Sequence, residues 1–417
     1  MQLFDELRQL SGAQRRVVTA SFLGWTLDAF DFFILVFVVN AIASDFHTEI
    51  ADIAYAITLT LAMRPVGALL FGWLADRYGR RPVMMIDVLL FSLFELASAF
   101  APSLAVLLVL RALFGIAMGG EWGIGSSLAM ESIPAKSRGI VSGLLQEGYA
   151  VGYLIAVIVY WIVFPWAGWR GMFVVGVVPA LLVLYIRRGV EESPVWREQK
   201  HTSGAMWRSI KEQRWLFFYV IVLMACFNAF SHGTQDLYPT FLKVQHHFST
   251  AEVSTLTIIA NVGAIAGGIL FGAWSERIGR KVAITLAAIG ALPVAWLWAY
   301  SPGIVGLAFG AFLMQFMVQG AWGIVPVHLN ELSPGDVRGT FPGFTYQLGN
   351  LVISLLAPLQ AKLAVANGNN YAFALVVTAI TVAVLIVIVI SFSGERRGIA
   401  FGRSAANDDT LHHDAAA

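Results

Sequence analysis

The chain of 417 residues is 58% hydrophobic and only 13% charged, with a formal net charge of +1. Its mean hydropathy is +0.72. The charged share is about half that of soluble domains, which excludes a soluble globular protein and indicates a polytopic membrane protein. The lone cysteine, Cys226, excludes an internal disulfide.

Twelve apolar segments follow one another along the chain. A helix of about 20 residues crosses a hydrocarbon core of about 30 Å, so each segment predicts one membrane-spanning helix. The approximate ranges are 17–43, 52–75, 82–101, 104–130, 139–164, 168–187, 215–242, 252–274, 282–300, 303–329, 339–366 and 371–393.

The longest polar break falls between the sixth and seventh segments. It predicts an N-terminal six-helix bundle at 1–186, a linker with a short amphipathic helix at 187–214, a C-terminal six-helix bundle at 215–395 and a tail at 396–417. The sequence therefore predicts an all-α membrane protein built from two bundles.

Basic residues cluster in alternate loops. They include Arg15, Arg16, Arg81, Lys136, Arg188, Arg208, Lys281, Arg396 and Arg397. Because positively charged loops remain on the cytoplasmic side, both termini are predicted to be cytoplasmic, in an inner or plasma membrane.

The two halves repeat each other at an offset of 200 residues. Segment 72–81 matches segment 272–281 in its glycines, its acidic residue and its arginines, and the same offset aligns Trp122 with Trp322 and Arg138 with Arg338. Duplicated six-helix halves with a site near the bilayer midplane are a transporter architecture.

The segment 72–81 also resembles the loop signature between the second and third helices of the major facilitator superfamily. This resemblance implies the twelve-helix facilitator fold. The glycines permit close helix approach, and the charged side chains can pair between helices in one conformation. We therefore expect conformational gating, rather than substrate contact, from Asp76, Arg77, Arg80, Glu276, Arg277 and Arg280. A purely structural loop is the alternative.

Charged residues inside the predicted helices mark a working site, because a charge at the bilayer centre costs about 3 kcal/mol. They include Asp28, Asp31, Arg64, Arg111, Glu121, Glu147 and Asp236. At 1.5 Å per residue, Asp28 lies about 18 Å in from Arg16 and Arg64 about 18 Å in from Asp52, so both are predicted near the midplane.

The seventh segment carries a polar stripe. At about 100° per residue its members fall within an arc of roughly 140°. They are Asn228, Ser231, His232, Gln235 and Asp236. Lipid cannot solvate this stripe, so it is predicted to face a protein interior or a water-filled cavity. A polar seam between two helices is the alternative.

The spacing of this stripe, with Thr234 and Thr240, resembles the seventh-helix signature of the monocarboxylate (lactate and pyruvate) permeases. These belong to the sialate:proton symporter group of the superfamily. The resemblance implies transport roles for Arg64, Asn228, His232, Gln235 and Asp236, and for Gln347 in the eleventh segment. Gln347, beside Tyr346, is predicted to donate an amide hydrogen bond to substrate; helix packing is the alternative.

Arg64 is the predicted partner of an anionic substrate, because its guanidinium stays charged and matches a carboxylate. A permanent ion pair with Asp28 or Asp31 is the alternative, and the two roles are able to alternate.

His232 and Asp236 lie one helical turn apart and form the predicted proton-coupling pair. Histidine titrates near neutral pH, and a buried aspartate can be shifted into the same range. Asp28 and Asp31 are the rival proton carriers, and a helix–helix hydrogen bond is the structural alternative for His232.

The sequence contains no phosphate-binding glycine loop, zinc-ligand spacing or nucleophile elbow. We therefore expect no enzyme, cofactor, metal or nucleic-acid partner. The expected function is monomeric, proton-coupled import of a small monocarboxylate. The alternatives are a sialic acid or aromatic acid symporter, with Trp25, Trp122 and Trp322 available to stack on a ring, a non-transporting nutrient sensor and an exporter of lipophilic cations.

Overall fold

The computed structural model describes residues 5–198 and 205–401, and these residues form helices without any β-strand. The first four membrane spans are long single helices, and a short helix, Asp5–Arg8, precedes them. The four are Gly12–Asp45, Ile50–Tyr78, Arg80–Ala99 and Leu104–Ser132.

The fifth and sixth spans form one run of helix, from Ala135 to Gly189, that is 55 residues long. At 1.5 Å per residue such a run would measure about 80 Å, far more than a bilayer core. Gly168 divides it, with φ 61° and ψ −164°, a conformation that favours glycine. The helices in this run are Arg138–Gln146, Gly148–Val175 and Ala180–Gly189. The kink at Gly168 lies inside the second of them and separates the fifth span from the sixth.

The second half repeats this arrangement with more interrupted helices. The seventh, tenth and eleventh spans each consist of two helices: Arg214–Gln235 with Tyr238–Val244, Ile304–Trp322 with Val325–Leu332, and Phe341–Val352 with Leu356–Ala366. The eighth, ninth and twelfth spans are Thr250–Ile278, Arg280–Tyr300 and Tyr371–Ser391. With the division at Gly168, the described residues provide twelve spans, and the predicted fold class is confirmed.

The linker between the halves contains two short helices, Pro194–Glu198 and Ala205–Glu212. Residues 199–204 of the linker and 402–417 of the predicted tail lie outside the described residues.

Both ends of the described chain lie on one face of the molecule, called here the terminal face. Lys136 donates a hydrogen bond to Gln9, Gln14 donates to the Ser132 carbonyl, and the Lys281 backbone N–H donates to Glu395. The tight turns at Gly79 and Gly279, with φ 109° and 96°, lie on the same face.

Hydrogen bonds between the two halves cluster at the terminal face. Asp76 accepts from Gly339 of the eleventh span, and Glu276 accepts from Gly139 of the fifth. Further from this face, glycines let the backbones touch: a Cβ atom added at Gly123 would lie 2.8 Å from the Gly343 Cα. The halves are therefore closed against each other at this end, and the space between them lies beyond it.

Candidate functional site

A cavity of about 890 Å³ lies between the two halves. It extends toward the face opposite the termini, where Val36 and Ile57 of the first half and Pro239 and Ala357 of the second half line it. Residues at its floor, nearest the terminal face, include Gln146, Glu147, Trp322, Tyr346 and Gln347.

All five residues of the seventh-span stripe line this cavity: Asn228, Ser231, His232, Gln235 and Asp236. Four of them are on a helix that ends at Gln235, Asp236 follows directly after it, and a second helix begins at Tyr238. The single helix predicted over 215–242 is therefore interrupted at Asp236 and Leu237. Pro239, in the first turn of the second helix, lacks the backbone N–H that would continue the first one.

His232 and Asp236 form a hydrogen-bonded pair across one helical turn. Nδ1 of His232 lies 3.2 Å from Oδ2 of Asp236, and their side chains are 43% and 41% exposed. Because both line the cavity, this pair is accessible to a proton or substrate that enters it.

The tenth span supplies two glutamines that sequence reasoning missed. Gln315 accepts a hydrogen bond from Gln235 at 2.7 Å and donates to Thr234 at 3.2 Å. Gln319 donates to Ser231 at 3.4 Å. Their i, i+4 spacing in an apolar helix was the available signal, since it places two amides on one face.

Arg64 lines the cavity and is paired with Asp28. Nη2 of Arg64 donates to Oδ2 of Asp28 at 2.7 Å, and both side chains are buried. Of the cavity-lining residues in the described part of the chain, Arg64 is the only arginine or lysine. This geometry contains the ion pair that the sequence offered as the alternative role of Arg64.

The two aspartates of the first span lie away from the cavity wall. Asp28 is buried and pairs with Arg64, and Asp31 is fully buried, close enough to Glu95 and Arg111 to interact with them electrostatically. Neither oxygen of the Asp31 carboxyl has a hydrogen-bond partner among the described residues. The structure therefore separates these two aspartates from the His232–Asp236 pair.

Aromatic rings surround the cavity floor. The Tyr346 ring packs against Trp122 at 4.8 Å and against Trp322 at 5.7 Å between centroids. Trp25 lies 5.5 Å from Tyr149. Asn228 donates to the Tyr346 carbonyl at 3.3 Å, and Gln347 accepts from Asn350 at 3.5 Å. Gln347 thus joins the polar wall at its aromatic end.

Four of the six predicted gating residues lie where the halves meet. Asp76 pairs with Arg80 at 3.0 Å, and Glu276 pairs with Arg280 at 2.6 Å. Each arginine also pairs with a second carboxylate of its own half: Arg80 with Glu131 at 3.1 Å and Arg280 with Glu331 at 3.0 Å.

The other two, Arg77 and Arg277, are exposed on the terminal face. The Arg77 guanidinium lies over the rings of Trp73 and Tyr78, at 5.9 and 5.5 Å. Both neighbours belong to its own helix, so Arg77 does not connect the halves.

Twelve spans in two repeated halves around a polar cavity are the architecture of a membrane transporter. The sequence model of the Major Facilitator Superfamily matches residues 21–358 and 237–405, and the chain belongs to that superfamily. The family expected from segments 72–81 and 272–281 is therefore confirmed.

Two relatives are transporters of organic acids by name. The sialic acid transporter NanX of Escherichia coli (strain K12) is 32% identical over 350 residues, which cover 82% of this chain and 85% of NanX. A carboxylic acid transporter protein homolog of Saccharomyces cerevisiae is 30% identical over 396 residues. That match covers 86% of this chain but 63% of the yeast protein, so the chain spans less than two thirds of this relative.

The solved structure of the proton:xylose symporter XylE bound to 6-bromo-6-deoxy-D-glucose is similar to this one. Its TM-score is 0.76 with 21% sequence identity, and the match covers 93% of this chain and 98% of XylE. At this identity the likeness shows the fold alone.

Proposed function

We propose that this protein is a proton-coupled symporter that imports a small monocarboxylate, of the lactate or pyruvate type, by alternating access. The observation that carries the proposal is Arg64, a lone arginine on the wall of a cavity that is closed at one end only. The relatives that transport carboxylic and sialic acids support an organic anion as the substrate.

The Arg64 guanidinium has five N–H donors, and Asp28 accepts from one of them. A carboxylate from the cavity would bind the remaining donors or displace Asp28. Protonation of Asp28 would favour this exchange, because a neutral carboxyl competes weakly for a cation. The ion pair is thereby a resting state of the substrate site, in which neither charge is left unpaired in the membrane.

The His232–Asp236 pair is the proposed proton acceptor. Its two side chains face the cavity at hydrogen-bond distance, so a proton that enters with the substrate is shared between them. Histidine is the side chain whose unperturbed titration lies closest to physiological pH.

With the terminal face in the cytoplasm, as the basic loops predict, this conformation faces outward and is ready to load substrate. Transport would then require the contacts at the terminal face to separate while the opposite ends of the halves close. We propose that one chain performs this cycle as a monomer, since the cavity is formed entirely by one chain.

A sialic acid or aromatic acid is the second candidate substrate. The rings of Trp25, Tyr149, Trp322 and Tyr346 along the floor favour it, since they offer stacking surfaces that a three-carbon acid does not need.

A counterflow panel in proteoliposomes separates these candidates. Labelled lactate, pyruvate, acetate, benzoate and sialic acid would be tested against the same unlabelled acids inside. We expect exchange of lactate and pyruvate, with gradient-driven accumulation at acidic outside pH. Exchange of sialic acid or benzoate, without exchange of lactate or pyruvate, would identify a sialic acid or aromatic acid as the substrate instead.

Arg64→Ala tests the substrate site directly. Removing one partner of a buried charge contact costs about 2–5 kcal/mol, so the affinity for the anion should fall at least about thirtyfold. Arg64→Lys should restore little, because a point charge does not replace a planar fork. Tracer binding to purified protein, measured alongside counterflow, gives the substrate affinity of each variant.

Arg170→Ala is the matched control. Arg170 pairs with Asp45 in an exposed ion pair far from the cavity lining, and such pairs contribute little. The control should bind substrate normally. Normal affinity in Arg64→Ala would leave Arg64 with the structural ion-pair role alone.

A further inference from the structure

Glu147 lies where the two halves touch at the floor of the cavity. It follows the helix Arg138–Gln146 in the fifth span and precedes the next helix of that span. Its carboxyl rests against Gly268 of the eighth span, on the other half, so that any side chain added at Gly268 would collide with it. Glu147 is 4% exposed and lines the cavity.

Oε1 of Glu147 is buried without a hydrogen-bond donor, and no ion pair joins this carboxyl to a cation among the described residues. The eighth span presents Gly268 to it, and the Gln319 carbonyl of the tenth span lies beside Gly268. The other charged and titratable groups that line the cavity are Arg64, His232, Asp236, Tyr149 and Tyr346, and among the described residues no ion pair or hydrogen bond joins any of them to Glu147. A carboxylate is costly in such a place, whereas a neutral carboxylic acid is tolerated.

The internal repeat shows what the same position contains in the other half. At the offset of 200 residues, Glu147 corresponds to Gln347 and Gly143 corresponds to Gly343. Gln347 also lines the cavity, and its amide is neutral and close to a glutamate in shape. The equivalent position in the other half is thus occupied without a titratable group, and the acid at position 147 adds a titratable proton.

We propose that Glu147 is a proton-binding site whose occupancy controls the contact between the fifth and eighth spans. In the closed contact the carboxyl is neutral and fits against Gly268. When the halves separate at the terminal face, water from that face also reaches Glu147, its O–H bond breaks and the proton passes to that water. The resulting carboxylate then opposes closure until a proton returns from the cavity.

This inference rests on the proposed proton symport, because it provides the step that couples proton release to opening. It adds to the His232–Asp236 pair, which is on the cavity wall, a site at the interface between the halves. A proton taken up in the cavity and one released at the terminal face would thus be linked by the conformational change.

Glu147→Gln fixes the site in its neutral form while keeping its shape. In proteoliposomes the variant should exchange labelled substrate at close to the wild-type rate but should not accumulate it against a gradient. Glu147→Asp keeps a titratable acid and should retain accumulation. Full accumulation by Glu147→Gln, or loss of exchange together with accumulation, would overturn the assignment.

Hydrogen–deuterium exchange tests the same idea without transport. After correction for intrinsic rates, segments 139–147 and 265–276 of the wild type should lose protection from acidic to alkaline pH, by several-fold in exchange rate. The corresponding contact, 72–79 with 339–347, should change less and is the internal reference. Glu147→Gln should keep its protection at both pH values.

The two experiments separate the possible failures. A wild-type protein that accumulates no substrate under a proton gradient contradicts the proposed function, while pH-dependent protection at Glu147 still supports the site. Accumulation by the wild type with equal protection at both pH values contradicts the site and leaves the function standing.

Discussion

Two contacts between the halves are related by the internal repeat, and their differences show what each does. In the first contact the second span meets the eleventh; in the second contact the eighth span meets the fifth. Asp76 accepts three hydrogen bonds across the first contact, from Gly339 N at 2.7 Å and from Thr340 N and Oγ1 at 2.9 and 2.6 Å. Glu276 accepts one across the second, from Gly139 N at 2.6 Å.

The two contacts also differ at the side that faces the cavity. Toward the cavity, the eleventh span presents Gln347, whose amide accepts a hydrogen bond from Asn350 of the same span. The second contact ends at Glu147, whose Oε1 is buried without a hydrogen-bond donor and whose carboxyl has no ion pair with a cation among the described residues. One contact is thus firmly bonded and electrically neutral at its cavity end, and the other is less bonded and contains an acid. Two copies of one structure have diverged into a fixed contact and a proton-sensitive one.

The largest effect is expected from breaking either contact sterically. A Cβ atom at Gly143 would strike the Gly268 carbonyl, and one at Gly343 would lie 3.1 Å from the Gly123 Cα. Gly143→Val and Gly343→Val should therefore each oppose closure and lower uptake by up to about a hundredfold, since overpacking against backbone costs about 1–3 kcal/mol. Uptake assays, with exchange protection at the terminal face, would report this.

Gly303→Ala provides the control for these two variants. No atom lies within 4 Å of a Cβ placed there, so uptake should be unchanged. Normal transport in Gly143→Val would show that the fifth and eighth spans need not touch during the cycle, and the comparison between the contacts would lose its mechanical meaning.

A smaller effect should distinguish Asp76 from Glu276, the two acidic residues that accept hydrogen bonds across the contacts. A hydrogen bond to a charged group contributes about 1.5–3 kcal/mol. In Asp76→Asn, an NH₂ group replaces one of the two carboxylate oxygens that accept these bonds, so an N–H faces another donor. Glu276→Gln can keep its one oxygen on Gly139 and rotate the amide away. Asp76→Asn should thus lower the uptake rate at least about tenfold, and Glu276→Gln only a few-fold. Equal losses in the two variants would mean that the number of donors does not matter.

Much of this comparison could be predicted from the sequence. The repeat at 72–81 and 272–281 identified Asp76 and Glu276 as acidic residues able to pair between helices, because a helix turn with fixed glycine and arginine spacing is a local pattern. The seventh-span stripe was predicted to face a protein interior or a water-filled cavity, and all five of its residues line a cavity. In each case the residue type alone excluded contact with lipid.

The partners of the buried acids could not be predicted. Asp31, Glu121 and Glu147 all read as intramembrane charges, yet of the three only Glu147 lines the cavity. The polarity of a side chain predicts that it avoids lipid. The residue that it contacts depends instead on how helices distant in the sequence pack together. The offset of 200 residues that relates Glu147 to Gln347 was visible in the sequence. Its significance depended on the structure, which places Glu147 against Gly268 of the other half.

The smallest expected effect concerns a connection between the two contacts at the terminal face. The Phe401 ring lies 3.7 Å from the Arg138 guanidinium carbon and 4.0 Å from that of Arg338, which are equivalent arginines of the two halves. Arg138 also donates to the Ile399 carbonyl at 2.7 Å. This segment therefore bridges the halves in the conformation in which they are closed against each other.

Phe401→Ala removes a contact present in one conformation, so it should shift the equilibrium rather than unfold the protein. A cation–π contact near water contributes about 0.5–1 kcal/mol, so the ratio of closed to open protein should fall by about two- to fivefold. Exchange protection of segments 72–79 and 139–147 should decrease together, because the ring joins both halves. Phe392→Ala, at an exposed position on the same segment, should change neither. Loss of protection in 139–147 alone would show that the bridge stabilises only the less bonded contact, which would sharpen the difference between the two.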